Sequence, residues 1–287
     1  MEARDKIDFR QERTFGELFN ATSMFVRMEL ATLLKTLSPV IMIFIVFRVS
    51  TDYAIRVFAA DNTTSSENEN IFESYTNYMA SPDYWLHEFW EWLFLGIIAG
   101  LVYSHIKLYI NNEGRPGTKE IYREMRKSIR KVLLITLLMT VIMYLLSPFL
   151  LVLSIIFFIY SLLAVVVVAI EQGEITRGMK PIKESFVLIK GSWWQTFGAL
   201  IILFFVIYIM KLVPYVVESI FWFGFGMGDI IEPDTVVHEI LVLFFAATKD
   251  IPYIVYSYPM IFTAFLYFSQ LEKKRKLRLM NEIDSIK

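Results

Sequence analysis

The chain has 287 residues, a formal net charge of -1, 56% hydrophobic and 20% charged side chains, and a mean hydropathy of +0.50. So apolar a chain with no net positive charge speaks against a nucleic-acid binder and makes the lipid bilayer the first solvent to consider. Cysteine is absent, which excludes a disulfide framework, thiolate metal sites, iron-sulfur clusters and cysteine nucleophiles.

The first 35 residues carry Arg4, Asp5, Lys6, Asp8, Arg10, Glu12, Arg13, Glu17, Arg27, Glu29 and Lys35, with no continuous apolar run of the kind a cleavable signal requires. Phe15, Leu18, Thr22, Phe25 and Val26 recur at helical spacing, so residues 1–36 are expected to form a cytoplasmic amphipathic segment leading into an uncleaved first span.

About 20 mostly apolar residues cross a bilayer as a helix. Six runs meet that length, near residues 37–54, 85–110, 132–147, 150–170, 196–215 and 251–270. Between Lys131 and Glu171 stand 39 residues without a charge, too many for one crossing, and Ser147-Pro148 supplies the break because proline lacks an amide hydrogen. A tight hairpin is expected there. The polar stretch 60–70 (ADNTTSSENEN) reads as a loop whose sequon at Asn62 arises by chance composition.

The connections after the second and fourth spans are basic and amphipathic. Ile121, Met125, Ile129 and Val132 form one apolar stripe, and Met179, Ile182, Phe186, Ile189 and Trp193 form another, each flanked by lysine or arginine. With the amino terminus inside, 23 of the 28 basic residues fall on the cytoplasmic side. The opposite segments hold Asp52, Asp61, Glu67, Glu69, Glu73, Asp83, Asp229, Glu232, Asp234, Glu239 and Asp250 against Arg56 and Lys249. This alternation requires an even number of spans with both ends inside. Trp85, Trp90, Trp92 and Trp222 then mark the outer boundary, and Trp193 and Trp194 the inner one.

The expectation is therefore an all-α polytopic transmembrane bundle of about six spans with cytoplasmic amphipathic interfacial helices. It forms one integral membrane domain over residues 1–287, with the bundle at 37–270 and a basic cytoplasmic tail at 271–287. Each inner amphipathic helix precedes a hairpin, which suggests three repeated units.

Several residues invite a chemical reading. Lys211, inside the fifth span, is an intramembrane cation with Glu218 and Glu171 as candidate companions in a polar site. Snorkelling toward the acidic outer loops is the competing account. His87 and Glu91 lie one helical turn apart, with Glu88 and His238 nearby in the reading, but they lack the second histidine of the zinc-protease pattern. No metal and no cofactor are expected. Gly96, Gly100 and Ser104 form a small-residue stripe for close helix packing, within the chain or with a second copy. Gly224, Gly226 and Gly228 read as a turn, and Pro39, Pro214, Pro252 and Pro259 as possible interruptions of spans.

The run AIEQGEITRGMKPIKESFVLIKGSWWQTFGALI, residues 169–201, resembles the span, glutamate, amphipathic helix, tryptophan and span of a broad set of bacterial six-helix membrane proteins. That set includes the membrane domain fused to some glycerophosphodiester phosphodiesterases. Residues 9–27 and 268–287 are similar to uncharacterised membrane proteins of Bacteroidetes-type bacteria. The resemblance implies a multi-pass inner-membrane fold and transfers no catalytic residue, because the phosphodiester chemistry belongs to a separate soluble domain. The expected role is a non-enzymatic inner-membrane protein, scaffolding or lipid-associated, in contact with anionic headgroups and with a membrane-protein partner or a second copy as further candidates. A transporter or channel using Lys211 and the proline-interrupted spans is the alternative, and an intramembrane metal enzyme the third reading.

Overall fold

A computed structural model describes residues 7–59, 80–112, 115–146, 151–171, 173–176, 178–231, 235–249 and 251–286. These residues are helical throughout, without a strand among them. The helices are α1 (Phe15–Ala59), α2 (Pro82–Asn111), α3 (Thr118–Leu146), α4 (Leu151–Ile170), α5 (Lys180–Ile189), α6 (Trp193–Ser219), α7 (Met227–Ile230), α8 (Val236–Thr248) and α9 (Ser257–Ile286). The sequon at Asn62 and the Ser147-Pro148 break lie outside the described residues.

Among the described residues four helical stretches are long and apolar enough to cross a membrane, Phe15–Thr51, Tyr84–Asn111, Trp193–Gly224 and Val236–Met280, and α3 and α4, expected as the third and fourth spans, are not among them. The chain is thus a helical bundle with several membrane-competent helices. Α3 and α4 flank the expected break and pack against each other.

Contacts gather the chain into two compact units. The first comprises Met1–Leu37, Gly96–Val206 and Val255–Lys287, and the second Ser38–Leu95 and Ile207–Ile254.

In the first unit, α1 starts at Thr14, whose amide and hydroxyl donate to the Glu17 carboxylate at 2.7 and 2.9 Å. This reach-back satisfies a donor that the first helical turn leaves open. Leu18, Thr22, Phe25, Glu29, Leu33 and Leu37 are buried at spacings of three and four, so one face of the helix is committed to the core. The expected amphipathic segment and first span are one continuous helix of 45 residues, about 68 Å long at 1.5 Å per residue and well beyond the hydrocarbon thickness.

The small-residue stripe of α2 finds its partner within the chain. A side-chain carbon at Gly96 would come within 2.6 Å of Leu133, and one at Gly100 within 3.0 Å of Ile129 and 3.2 Å of Met125. The glycines let α3 lie against α2. Ile121 and Val132 of the same stripe are fully buried, as the spacing predicted. That stripe runs unbroken into the apolar stretch expected as the third span, so it is no separate interfacial helix.

Α5 is a separate helix. Its chain turns at Gly191, whose φ of +92° favours glycine, before α6 begins. Ile182, Ser185, Leu188 and Ile189 are its buried face, while Met179, Phe186 and Val187 are exposed. The buried stripe is rotated from the expected one because Ser185 and Leu188 turn inward. Phe186 stacks on Tyr160 of α4 with centroids 3.8 Å apart.

In the second unit, Phe44 of α1 stacks on Phe94 of α2 at 4.0 Å, and Tyr253 meets both rings edge-on. Pro39 and Pro214 lie inside continuous helices, whereas Pro252 lies in a 3₁₀ segment, Ile251–Tyr256. Α6 passes into a π turn, Ile220–Gly224, and Gly226 takes a left-handed conformation just before α7, which is the turn expected of that glycine cluster. The segment after it, read from sequence only as an acidic outer connection, contains the apolar α8.

Candidate functional site

Within the first unit the four basic segments assigned to one side of the membrane meet. Arg13 donates its amide to the Ser269 hydroxyl at 2.9 Å, and Lys276 lies 3.6 Å from Glu12. Tyr122 donates to the Thr36 carbonyl at 2.7 Å and Lys131 to the Thr176 hydroxyl at 3.1 Å. Ser192 donates to Gln270 at 2.9 Å, and Lys107 pairs with Glu124 at 2.9 Å. Hydrogen bonding from Lys127 and then from Lys107 holds the Glu124 carboxyl below its usual range, against the opposing effect of burial. Burial pulls the Arg13 guanidinium downward, while Asp8 and Glu17 oppose that.

Beneath this polar layer lies a group that sequence reasoning passed over. Glu29 is fully enclosed, with Oε2 3.2 Å from Nε2 of an equally enclosed His105. Its Oε1 lies 2.9 Å from Nε of Arg115, in a close ion pair without hydrogen-bond alignment. Arg115 is 51% exposed, so the trio runs from solvent to core. His105 Nδ1 makes no hydrogen bond among the described residues.

Phe25, one turn before Glu29, contacts the His105 ring at 5.7 Å. The segment before α1 closes over these groups. Phe9 is buried, stacked on Phe265 at 4.0 Å and edge-on to Phe25, Tyr109 and Phe268. The Ile7 amide donates to the Tyr109 hydroxyl at 3.1 Å.

The sequence did hold a signal. Leu18, Thr22, Phe25 and Glu29 share one helical phase, so a carboxylate sits on the face that must be buried, and His105 lies inside an apolar run.

The residues singled out from the sequence do not form one site. In the second unit Lys211 lies 3.5 Å from Glu91 and 4.9 Å from the Tyr253 ring centre. Glu218 instead pairs with Lys249 at 2.6 Å, and Lys249 lies 4.9 Å from the Tyr215 ring centre. Each cation thus has a carboxylate and an aromatic face. Glu171 belongs to the first unit, where it accepts from Tyr267 at 2.8 Å. His238 caps into α8 through its amide and packs on Trp222 at 5.3 Å. His87 and Glu88 lie on α2. Among the described residues no three histidine or acidic side chains gather to hold a metal ion.

Comparison with family models, curated proteins and solved structures gives no match, so the functional reading rests on this chain's own residues.

Proposed function

We infer that this chain is a six-span protein of the bacterial inner membrane, with both termini cytoplasmic, that acts without catalysis by gathering anionic lipid at its inner face. The observation that carries this reading is the convergence of all four basic segments in one unit through the contacts of Arg13, Lys131, Ser192 and Lys276. An even number of spans returns each of those segments to the same side. On that face α5 combines lysines at 180, 183 and 190 with exposed Met179, Phe186 and Val187, and Trp194 just beyond is 77% exposed.

Apolar side chains among lysines suit the headgroup boundary, where rings and aliphatic carbon enter lipid while ammonium groups meet phosphate. Each lysine near an anionic surface contributes about 1 kcal/mol.

The test is lipid retention by the full chain. After detergent purification, mass spectrometry should find less bound phosphatidylglycerol and cardiolipin on the triple variant K180Q/K183Q/K190Q than on the parent. An equal amount on both would defeat the lipid reading.

A further inference from the structure

We propose that Glu29 and His105 form a proton-binding site in the bundle, reached from the end closed by Arg115 and Phe9. This inference does not depend on the lipid reading.

Arg115 Nε lies 2.9 Å from Glu29 Oε1, and an arginine stays charged at any accessible pH, so its natural counterpart is the Glu29 carboxylate, which accepts only. Its other oxygen, 3.2 Å from His105 Nε2, then requires the hydrogen on Nε2. In a neutral imidazole that donates there, the lone pair is on Nδ1, the nitrogen without a hydrogen bond among the described residues. Carboxylate, guanidinium and neutral imidazole sum to zero charge, as a buried cluster demands.

The lone pair on Nδ1 can take a proton. A hydronium ion that delivers it breaks its own O–H bond as the N–H bond forms, leaves as water, and gives an imidazolium beside the carboxylate, with one net positive charge on the trio. That charge would stand 3.2 Å from the Glu29 carboxylate, with the Arg115 cation on the carboxylate's other oxygen. Imidazole is the side chain suited to such a balance near neutral pH.

The neighbours leave the pair as the titrating element. From α2 comes Tyr109, which lies within electrostatic reach of Glu29 and Arg115. From α1 comes Phe25, from α9 Phe265, and from the leading segment Phe9 and the Ile7 amide. None of those four offers a charge. Ionisable residues enclosed among membrane helices are costly to keep and characteristic of proton pathways. Arg115 is 51% exposed and ties Glu29 to the solvent side.

The experiment uses the full chain in lipid nanodiscs. Three histidines are present, so H87N/H238N leaves His105 as the single imidazole, followed by ¹⁵N NMR of labelled histidine from about pH 8 to about pH 5. The expected result is a reversible passage from the neutral to the charged imidazole. Glu29→Gln should move the passage to lower pH by removing the stabilising anion. Arg115→Met should move it to higher pH by removing the opposing cation. Should E29Q fail to fold, R115M alters a half-exposed side chain and carries the test alone. A resonance that keeps one form across the range, or a passage that R115M leaves in place, would overturn the proposal.

Discussion

The two compact units use the same apolar alphabet toward different ends. In the first, Phe9, Phe25, Tyr103, Phe265, Tyr267 and Phe268 are almost wholly buried against protein. In the second, buried residues are few, chiefly Ile41, Phe44, Phe94, Ile207, Phe245 and Tyr253, while α6 exposes Tyr208, Ile209, Val213, Val216 and Val217. Hydropathy reports which solvent a segment prefers and is silent on whether its neighbour is protein or lipid. The polar groups differ in the same sense. The first unit encloses Glu29 and His105 completely, whereas Lys211, Glu91, Lys249 and Glu218 keep between 22% and 30% of their side chains accessible.

The largest test of this contrast is Phe9→Ala, which removes a ring packed by four others. It should cost about 3 to 4 kcal/mol in reversible unfolding in detergent. Glu29→Ala should follow at about 3 kcal/mol, because it strands an imidazole and a guanidinium beside a vacated position. A loss below about 1 kcal/mol from either would mean that the first unit is held elsewhere.

Gly96→Val should cost about 2 kcal/mol by forcing Leu133 from its place. Adding Leu133→Ala should restore part of that loss in the same unfolding measurement. Rescue would sharpen the assignment of the glycine stripe to packing within the chain.

In the second unit Lys211→Met should cost at most about 1 kcal/mol, since the pair it breaks is part-exposed and 3.5 Å apart. A cost equal to that of Glu29→Ala would erase the contrast between the units.

The smallest effect concerns pH. Because the Glu124 carboxyl is depressed from its ordinary 4.5, its contribution is present above that value and lost as pH falls through the folded one. Glu124→Gln should therefore flatten the acid limb of stability against pH while leaving the neutral plateau lower. An unchanged acid limb would show that Lys127 and Lys107 do not hold this carboxylate in the folded protein.

Much of the helical architecture was legible in the residues. Apolar runs long enough to cross a bilayer and lysines gathered on alternate connections follow from the cost of placing charge and open backbone in hydrocarbon. That cost is local, so it is written in local sequence. The stripe Ile121, Met125, Ile129, Val132 and the glycines opposite it were readable for the same reason, since one helix face displays its packing directly.

The partners were not readable. Lys211 had several carboxylates in range of any plausible register, and only the tertiary fold brought Glu91 to it and Lys249 to Glu218. The rotation of α5 that exposes Phe186 depends on where Tyr160 and α9 stand, which no spacing encodes. Glu29 and His105 stand 76 residues apart. Each could be noticed alone as an ionisable group on a buried face, yet their meeting with Arg115 is a property of three chain segments packed together. Helix and solvent preference are sums over neighbours in sequence, whereas an ion pair is fixed by neighbours in space.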